Sequence, residues 1–288
     1  MRIAPESILR STAKKDLSPN KFPCQNLFLI LPVFLFLSCI SSPENILLKR
    51  DLEKGIFVGK VVDENGLSVP NTEIKLNGRR TGFTDINGKF MFIRLANKKH
   101  EITCIKENFQ EKIFSFEFNK KKGPNFVHIK MFSIHYFINL TKNALLERDL
   151  KEANKNIDII LKMKPEQTFA RYCQALVYKE QKEYEKAIQI MISLRTIQPY
   201  SKYISLTLAD LYLITEKYEK TVSIYASLFH MSEMEHYQLM KKAGEIYEDK
   251  LKKPQLAMEY YKKFLKYEYD ASIFNKVKSM ENIKITTD

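Results

Sequence analysis

The sequence lacks most of the features that mark enzymes, membrane-spanning proteins and disulfide-rich proteins. Its 288 residues include no tryptophan, 8 glycines, 10 prolines, 4 cysteines and 5 scattered histidines. No phosphate-binding glycine loop, Gly-x-Ser-x-Gly or His-Glu-x-x-His motif is present. The longest apolar run has eleven residues, 27–37. As a helix it would span roughly 16 Å, about half of the ~30 Å hydrocarbon core of a bilayer. The sequence therefore predicts no catalytic site, no cofactor or metal, and no permanent membrane helix.

The composition that remains favours packed domains. Hydrophobic residues make up 44% of the chain and aromatic residues 12%, and the length is sufficient for two domains. The formal charge is +13; residues 1–38 hold five basic and two acidic residues, so the chain without them carries +10. We interpret most of these charges as solvated helix faces. Outside the cytosol, a basic surface would meet anionic lipid headgroups or glycans rather than nucleic acid.

Residues 1–38 have the pattern of a cleaved signal peptide. Three lysines precede the apolar run, which ends at Leu37 and is followed by Ser38 and Cys39. The segment 35–39, Leu-Phe-Leu-Ser-Cys, resembles a bacterial lipobox, in which a small residue precedes a cysteine that receives a diacylglyceryl group. Phe36 and Leu37 are bulkier than the strict pattern has. The resemblance implies a lipid anchor on Cys39.

A lipid on Cys39 would make residues 39–54 a short membrane tether. Residue 40 is isoleucine, whereas an aspartate after the lipidated cysteine resembles an inner-membrane retention signal. This difference favours the outer membrane. Plain secretion and a retained anchor remain alternatives. The other cysteines of the mature chain, Cys104 and Cys173, form no disulfide framework, and we expect both to be small buried hydrophobic residues.

Residues 55–132 predict a small β-domain of short strands separated by turns. The segments 56–62, 72–76, 89–93, 114–118 and 126–131 are rich in β-branched and aromatic residues or alternate between apolar and polar. Asn-Gly pairs between them are typical of tight turns. We expect an antiparallel β-sandwich. The region resembles the carboxypeptidase regulatory-like family, a transthyretin-like sandwich, which implies a structural or binding module. The matching residues are Gly59, Val61, Asp63, Gly66, Val69, Pro70, Ile74, Thr84, Asp85, Asn87, Gly88 and Phe90.

Two motifs could be read as metal sites. Asp-x-Asn-Gly, which occurs at 63–66 and 85–88, could bind calcium, but the further ligands of a calcium loop are missing, so we interpret both as turns. His230, Glu233 and His236 have the spacing of a zinc site. Their position between two predicted helices favours coincidence.

From residue 134 onward, helical periodicity repeats every 34 residues. Ala175, Ala209 and Ala243 mark three successive positions at this spacing, and the pairs Tyr178–Tyr212, Tyr184–Tyr218, Ala153–Ala187 and Pro165–Pro199 mark one step each. A helix–turn–helix unit of this length resembles the tetratricopeptide family, and it implies an α-solenoid. The predicted units are 134–167, 168–201, 202–235 and 236–271, followed by a capping helix or tail at 272–288. The last unit carries two extra residues around Lys252 and Lys253.

The resemblance implies that first helices line a concave groove. Two rows at 34-residue spacing would lie there: Phe169, Tyr203, Tyr237 and Tyr172, Leu206, Met240. Such an apolar stripe would suit a hydrophobic segment of a partner protein; packing of these residues inside the solenoid is the alternative. The sequence thus predicts a membrane-anchored, non-catalytic scaffold that binds envelope proteins. A surface-exposed adhesin or glycan-binding lipoprotein is the alternative function.

Overall fold

The computed structural model describes residues 56–121 and 126–285. The chain forms two compact units that divide between Leu146 and Glu147. The signal peptide, Cys39 and the tether lie outside the described residues, so the roles assigned to them stay predictions. No helix in the described part combines the length and apolarity that a bilayer crossing needs.

The first unit contains seven strands in two sheets. The three-stranded sheet has the order β4-β1-β7 and the four-stranded sheet the order β3-β2-β5-β6. The strands are β1 (Phe57–Val62), β2 (Glu73–Leu76), β3 (Arg79–Phe83), β4 (Lys89–Phe92), β5 (Lys99–Ile105), β6 (Lys112–Glu117) and β7 (Phe126–Lys130). All pairs are antiparallel except β1–β7, which is parallel. The expectation of a wholly antiparallel arrangement is therefore wrong for that pair, whose strands are distant in sequence and not joined by a hairpin.

Both sheets contribute to one hydrophobic core. Phe57 and Phe90 come from the three-stranded sheet and Ile74 and Ile102 from the four-stranded sheet, and all four are buried. The Phe57 ring also stacks on Phe116 of β6, with centroids 4.1 Å apart. Alternation along each strand explains this arrangement, because every second side chain faces the same side of a sheet.

Helix α1 (Ile134–Leu146) belongs to the same unit as the strands. The 34-residue spacing instead predicts this helix as part of the first repeat, 134–167. Two contacts tie its start to the strands: Ile134 N donates to the Asn108 carbonyl at 2.8 Å, and the Ser133 hydroxyl donates to Glu64 Oε1 at 2.6 Å.

The second unit is an array of helical hairpins. Its helices are α2 (Leu150–Met163), α3 (Thr168–Glu180), α4 (Tyr184–Ile197), α5 (Lys202–Ile214), α6 (Tyr218–Met231), the single turn α7 (Glu233–His236), α8 (Gln238–Glu245), a π-helical turn (Ile246–Lys250), α9 (Pro254–Leu265) and α10 (Ala271–Ile285). Each long helix from α2 to α10 packs on the next one along the chain, with α6 contacting α8. A continuous core of small and aromatic residues, including Ala175, Ala187, Ala209 and Ala243, runs through the hairpins from α3 to α10.

The predicted 34-residue helical repeat is confirmed. Helices α2, α4 and α6 have 14 residues each and begin 34 residues apart, and α3 and α5 have 13 each with the same offset. The turn that precedes each of α2, α4, α6 and α9 contains one residue with positive φ: Arg148, Lys182, Glu216 and Lys252. These four are separated by 34, 34 and 36 residues, so the extra two residues of the last unit lie between Ala243 and Lys252. The π-helical turn falls in this interval.

Candidate binding surface on the first helices of the repeats

The first helices of neighbouring repeats lie side by side. Tyr172 of α3 places its hydroxyl 3.1 Å from Thr207 Oγ1 of α5, and Lys179 Nζ lies 2.9 Å from Asp210 Oδ2. These contacts join α3 to α5 one repeat further along the chain. They bring the predicted groove residues of the two helices into one region.

Four of the six predicted groove residues keep some exposed surface. Tyr203 is 36% exposed, and Phe169, Leu206 and Tyr237 are half-buried. Leu206 follows Tyr203 by three residues, which places both on the same side of α5. Both side chains therefore contribute to the surface of this helix.

The other two predicted residues are buried. Met240 has no exposed surface and Tyr172 is 8% exposed, and both belong to the core of the repeats. Burial also raises the pKa of the Tyr172 hydroxyl. For these two residues the structure agrees with packing inside the repeats, the alternative considered from the sequence, and neither side chain offers a surface to a partner.

Tyr237 is held by the last hairpin rather than free in a groove. Its ring stacks on Phe264 and Tyr267, with centroids 6.1 and 5.7 Å away, and its hydroxyl donates to Glu268 Oε2 at 3.0 Å. The apolar row predicted along the first helices is therefore covered at its C-terminal end by the chain's own side chains.

Two apolar residues outside the predicted rows are also exposed on α5. Leu213 and Ile214, at the end of α5, are 37% and 38% exposed. They lie ten and eleven residues after Tyr203, so they share its helix face. The sequence contains a signal for these two residues, because apolar residues recur at helical spacing on two faces of α5 rather than on one. We call Tyr203, Leu206, Leu213 and Ile214 the α5 stripe.

The α5 stripe surrounds one ion pair. Asp210, in the middle of this helix face, is half exposed and pairs with Lys179, whose side chain is 17% exposed. This pair neutralises the charge beside the stripe, so the surface is apolar with one polar interruption. Such a surface suits an apolar segment better than a strongly charged ligand.

Other candidate sites from the sequence take simpler roles. In both Asp-x-Asn-Gly segments the aspartate Oδ1 accepts two backbone N–H groups, at 2.9 and 2.8 Å for Asp63 and at 2.9 and 2.7 Å for Asp85, so both are turns as expected. Burial, together with nearby Lys202, lowers the pKa of His236. Among the described residues, no three His, Cys, Asp or Glu side chains are grouped as a metal site. Cys104 and Cys173 are both buried, as the sequence predicts.

No protein-family model and no curated protein matches the sequence. Solved structures with a similar backbone include MamA from AMB-1 (12% identity, TM-score 0.41, covering 48% of this chain and 79% of that one). MamA from residue 41 onward of Desulfovibrio magneticus RS-1 has 17% identity and a TM-score of 0.42, covering 47% and 75%. A tetratricopeptide repeat protein from Parabacteroides merdae ATCC 43184 has 15% identity and a TM-score of 0.44, covering 54% and 66%. Similarities this low carry no argument about what this chain binds.

Proposed function

We propose that this protein is a non-catalytic scaffold of the bacterial cell envelope. A lipid on Cys39 anchors it to a membrane, with the outer membrane favoured, and its helical repeats bind a partner protein. The β-unit, a transthyretin-like sandwich in this proposal, joins the anchor to the repeats. The observation that carries the proposal is the α5 stripe, an exposed apolar helix face in an array of hairpins.

The position of the stripe supports a protein ligand. From Tyr203 to Ile214 the stripe covers eleven residue steps of α5, or roughly 16 Å at 1.5 Å per residue. That length matches about three turns of a partner helix or a short extended segment. The neighbouring repeat supplies half-buried Phe169 at one side, so a partner would contact more than one hairpin.

Site-specific photocrosslinking in intact cells tests the binding surface. A photoreactive residue in place of Leu213 should give a discrete crosslinked product with an envelope protein. The same residue in place of Ser223, which is exposed on α6 of the same repeat, should give none. Equal products from both positions would contradict a role for the stripe.

A charge substitution sharpens the test. Tyr203→Glu should abolish the crosslink from position 213, because a carboxylate on the stripe would be desolvated by an apolar partner. Tyr237→Glu is the poorer choice, since Tyr237 packs against the last hairpin and its loss would change stability as well. A crosslink that persists in Tyr203→Glu cells would place the partner elsewhere.

The anchor and its location need separate measurements. Mass spectrometry of the N-terminal peptide should find a diacylglyceryl group on Cys39, and Cys39→Ser should release the protein from the membrane fraction. Protease added to whole cells should leave the protein intact until lysis if it faces the periplasm. Rapid digestion would favour the alternative, a surface-exposed adhesin or glycan-binding lipoprotein.

A further inference from the structure

The outer face of the three-stranded sheet carries two cross-strand rows of different character. Met91, Val58 and Phe126 are register partners on β4, β1 and β7, and they form an apolar row. Met91 is 60% and Phe126 47% exposed. Ile93, which follows β4 on the same side, is 58% exposed. Apolar residues grouped on a solvated sheet face call for an explanation, since the opposite face already forms the core.

The second row is basic. Lys89, Lys60 and His128 are register partners two residues further along the same strands, and Lys130 continues on β7. The first row is about 7 Å from the second, given the rise of roughly 3.3 Å per residue. No acidic residue occupies an outward position of these three strands. The face therefore joins an apolar edge to a positively charged band.

The segment that carries the proposed anchor precedes β1, the central strand of this sheet. Strand β1 begins at Phe57, so the apolar row lies at the end of the sheet where the preceding segment arrives. Eighteen peptide steps separate Phe57 from Cys39, which limits their distance to about 60–65 Å. Such a short tether holds the face at a high effective concentration near the bilayer, so a weak surface interaction is sufficient.

We propose that this face docks on an anionic bilayer. Phe126, Met91 and Ile93 enter the interfacial region, and Lys60, Lys89 and Lys130 contact the anionic headgroups. The inference rests on the proposed anchoring at Cys39 and adds an orientation: the β-unit lies on the membrane rather than hanging from it. Charge complementarity and the entry point of the tether both favour a bilayer over a protein as the occupant.

Tryptophan fluorescence tests the docking directly. The chain has no tryptophan, so Phe126→Trp or Met91→Trp introduces a single reporter into the full chain, purified from membranes and reconstituted. The matched control is Ile113→Trp, at a position that is 56% exposed on β6 of the other sheet. The probes are vesicles of phosphatidylcholine alone, or with about one quarter phosphatidylglycerol, both carrying brominated acyl chains that quench nearby tryptophan.

Docking predicts strong quenching at 126 and 91, little at 113, and a several-fold loss of quenching without phosphatidylglycerol or in Lys60→Glu/Lys89→Glu. If the protein sediments with vesicles but the tryptophans at 126 and 113 are quenched equally, the docking is overturned while the anchor stands. That result would assign the face to a protein partner. Protein that does not sediment with either vesicle would overturn the anchoring and the docking together.

Discussion

Gly244 is a position where the usual effect of a glycine-to-alanine substitution should be reversed. In the interior of a helix this change normally stabilises by about 1 kcal/mol, because alanine has the higher helix propensity. Gly244 lies in α8 and is buried, and its φ is not in the left-handed region. A Cβ added there would lie 2.4 Å from Cε1 and 2.5 Å from Cδ1 of the Tyr261 ring.

The Tyr261 ring has little freedom to yield. Its side chain is fully buried in the core of the repeats, and its hydroxyl donates to Glu248 Oε2 at 2.6 Å. Relief of the clash would require α8 and α9 to separate or the tyrosine to leave its hydrogen bond. Overpacking generally costs about 1–3 kcal/mol, and an approach of 2.4 Å to a ring with little freedom belongs in the upper half of that range, about 2–3 kcal/mol. After the gain in helix propensity, Gly244→Ala should lower the free energy of unfolding by about 1–2 kcal/mol.

Urea unfolding followed by circular dichroism measures this difference. Ser227→Ala is the control, since Ser227 is exposed on α6 and the change should stabilise by a few tenths of a kcal/mol. In a Tyr261→Leu background, Gly244→Ala should lower the free energy of unfolding by less than it does in the parent, because the smaller side chain leaves room for the methyl group. A Gly244→Ala protein as stable as the parent would refute the packing argument.

Three further changes test local features. Asp149→Ala should cost about 1 kcal/mol in urea unfolding, since its carboxylate caps α2, whereas exposed Asp158→Ala should not destabilise. Burial raises the pKa of Cys104 to about 12, so a thiol reagent at pH 8 should modify Cys104 only on unfolding; rapid modification of native protein would contradict its burial. Burial alone would raise the pKa of Glu64, but hydrogen bonds from Ser133 lower it overall. Ionised Glu64 therefore stabilises the folded protein above its unfolded pKa, and this stabilisation is lost as the pH falls through its folded pKa. Glu64→Gln should lower the melting temperature at pH 7 and have the same melting temperature as the parent in acid, which thermal melting at several pH values measures.

The repeat architecture could be predicted because it depends on spacing. Small residues 34 apart, such as Ala175 and Ala209, occur where two helices approach closely. Their spacing can be recognised whichever residues occupy the exposed positions between them. The left-handed turn residues could not be predicted in the same way. Arg148, Lys182 and Glu216 occupy a conformation that favours glycine, and their side chains give no signal of it.

The candidate surface was only partly predictable, because exposure depends on neighbouring repeats. Leu206 and Met240 lie 34 residues apart in the same predicted row, yet Met240 is fully buried while Leu206 is half-buried. A spacing rule treats every repeat alike, whereas the last hairpin covers part of the row through Tyr267 and Glu268. Leu213 and Ile214 fall outside the predicted rows because those rows follow apolar residues at 34-residue spacing, and the residues 34 positions earlier are Lys179 and Glu180.

The β-unit shows a different limit. Strand β5 (Lys99–Ile105) was not predicted, although its inward residues alternate. The first of them is His100, a polar residue that interrupts the apolar pattern. It is 4% exposed, and its ring nitrogens lie 3.1 Å from Asn77 Nδ2 and 3.0 Å from the Ala96 carbonyl. A hydrophobicity pattern does not identify such a residue as buried, because the side chain is polar and its partner Asn77 is 23 residues away in the sequence.

The two extra residues of the last repeat create an acceptor shared by two donors, and this sharing predicts a non-additive pair of substitutions. Glu248, in the π-helical turn, accepts from Tyr261 Oη at 2.6 Å and from Lys276 Nζ at 2.7 Å through the same Oε2. Burial opposes ionisation of Glu248, but these two partners lower its pKa overall. Tyr261→Phe or Lys276→Met alone leaves one donor, whereas the double variant loses both and leaves a carboxylate that is 25% exposed. The loss of unfolding free energy in the double variant should exceed the sum of the single losses by about 0.5–1 kcal/mol at pH 7. The excess should disappear in acid, where Glu248 is protonated; an additive cycle at pH 7 would show that the two contacts act independently.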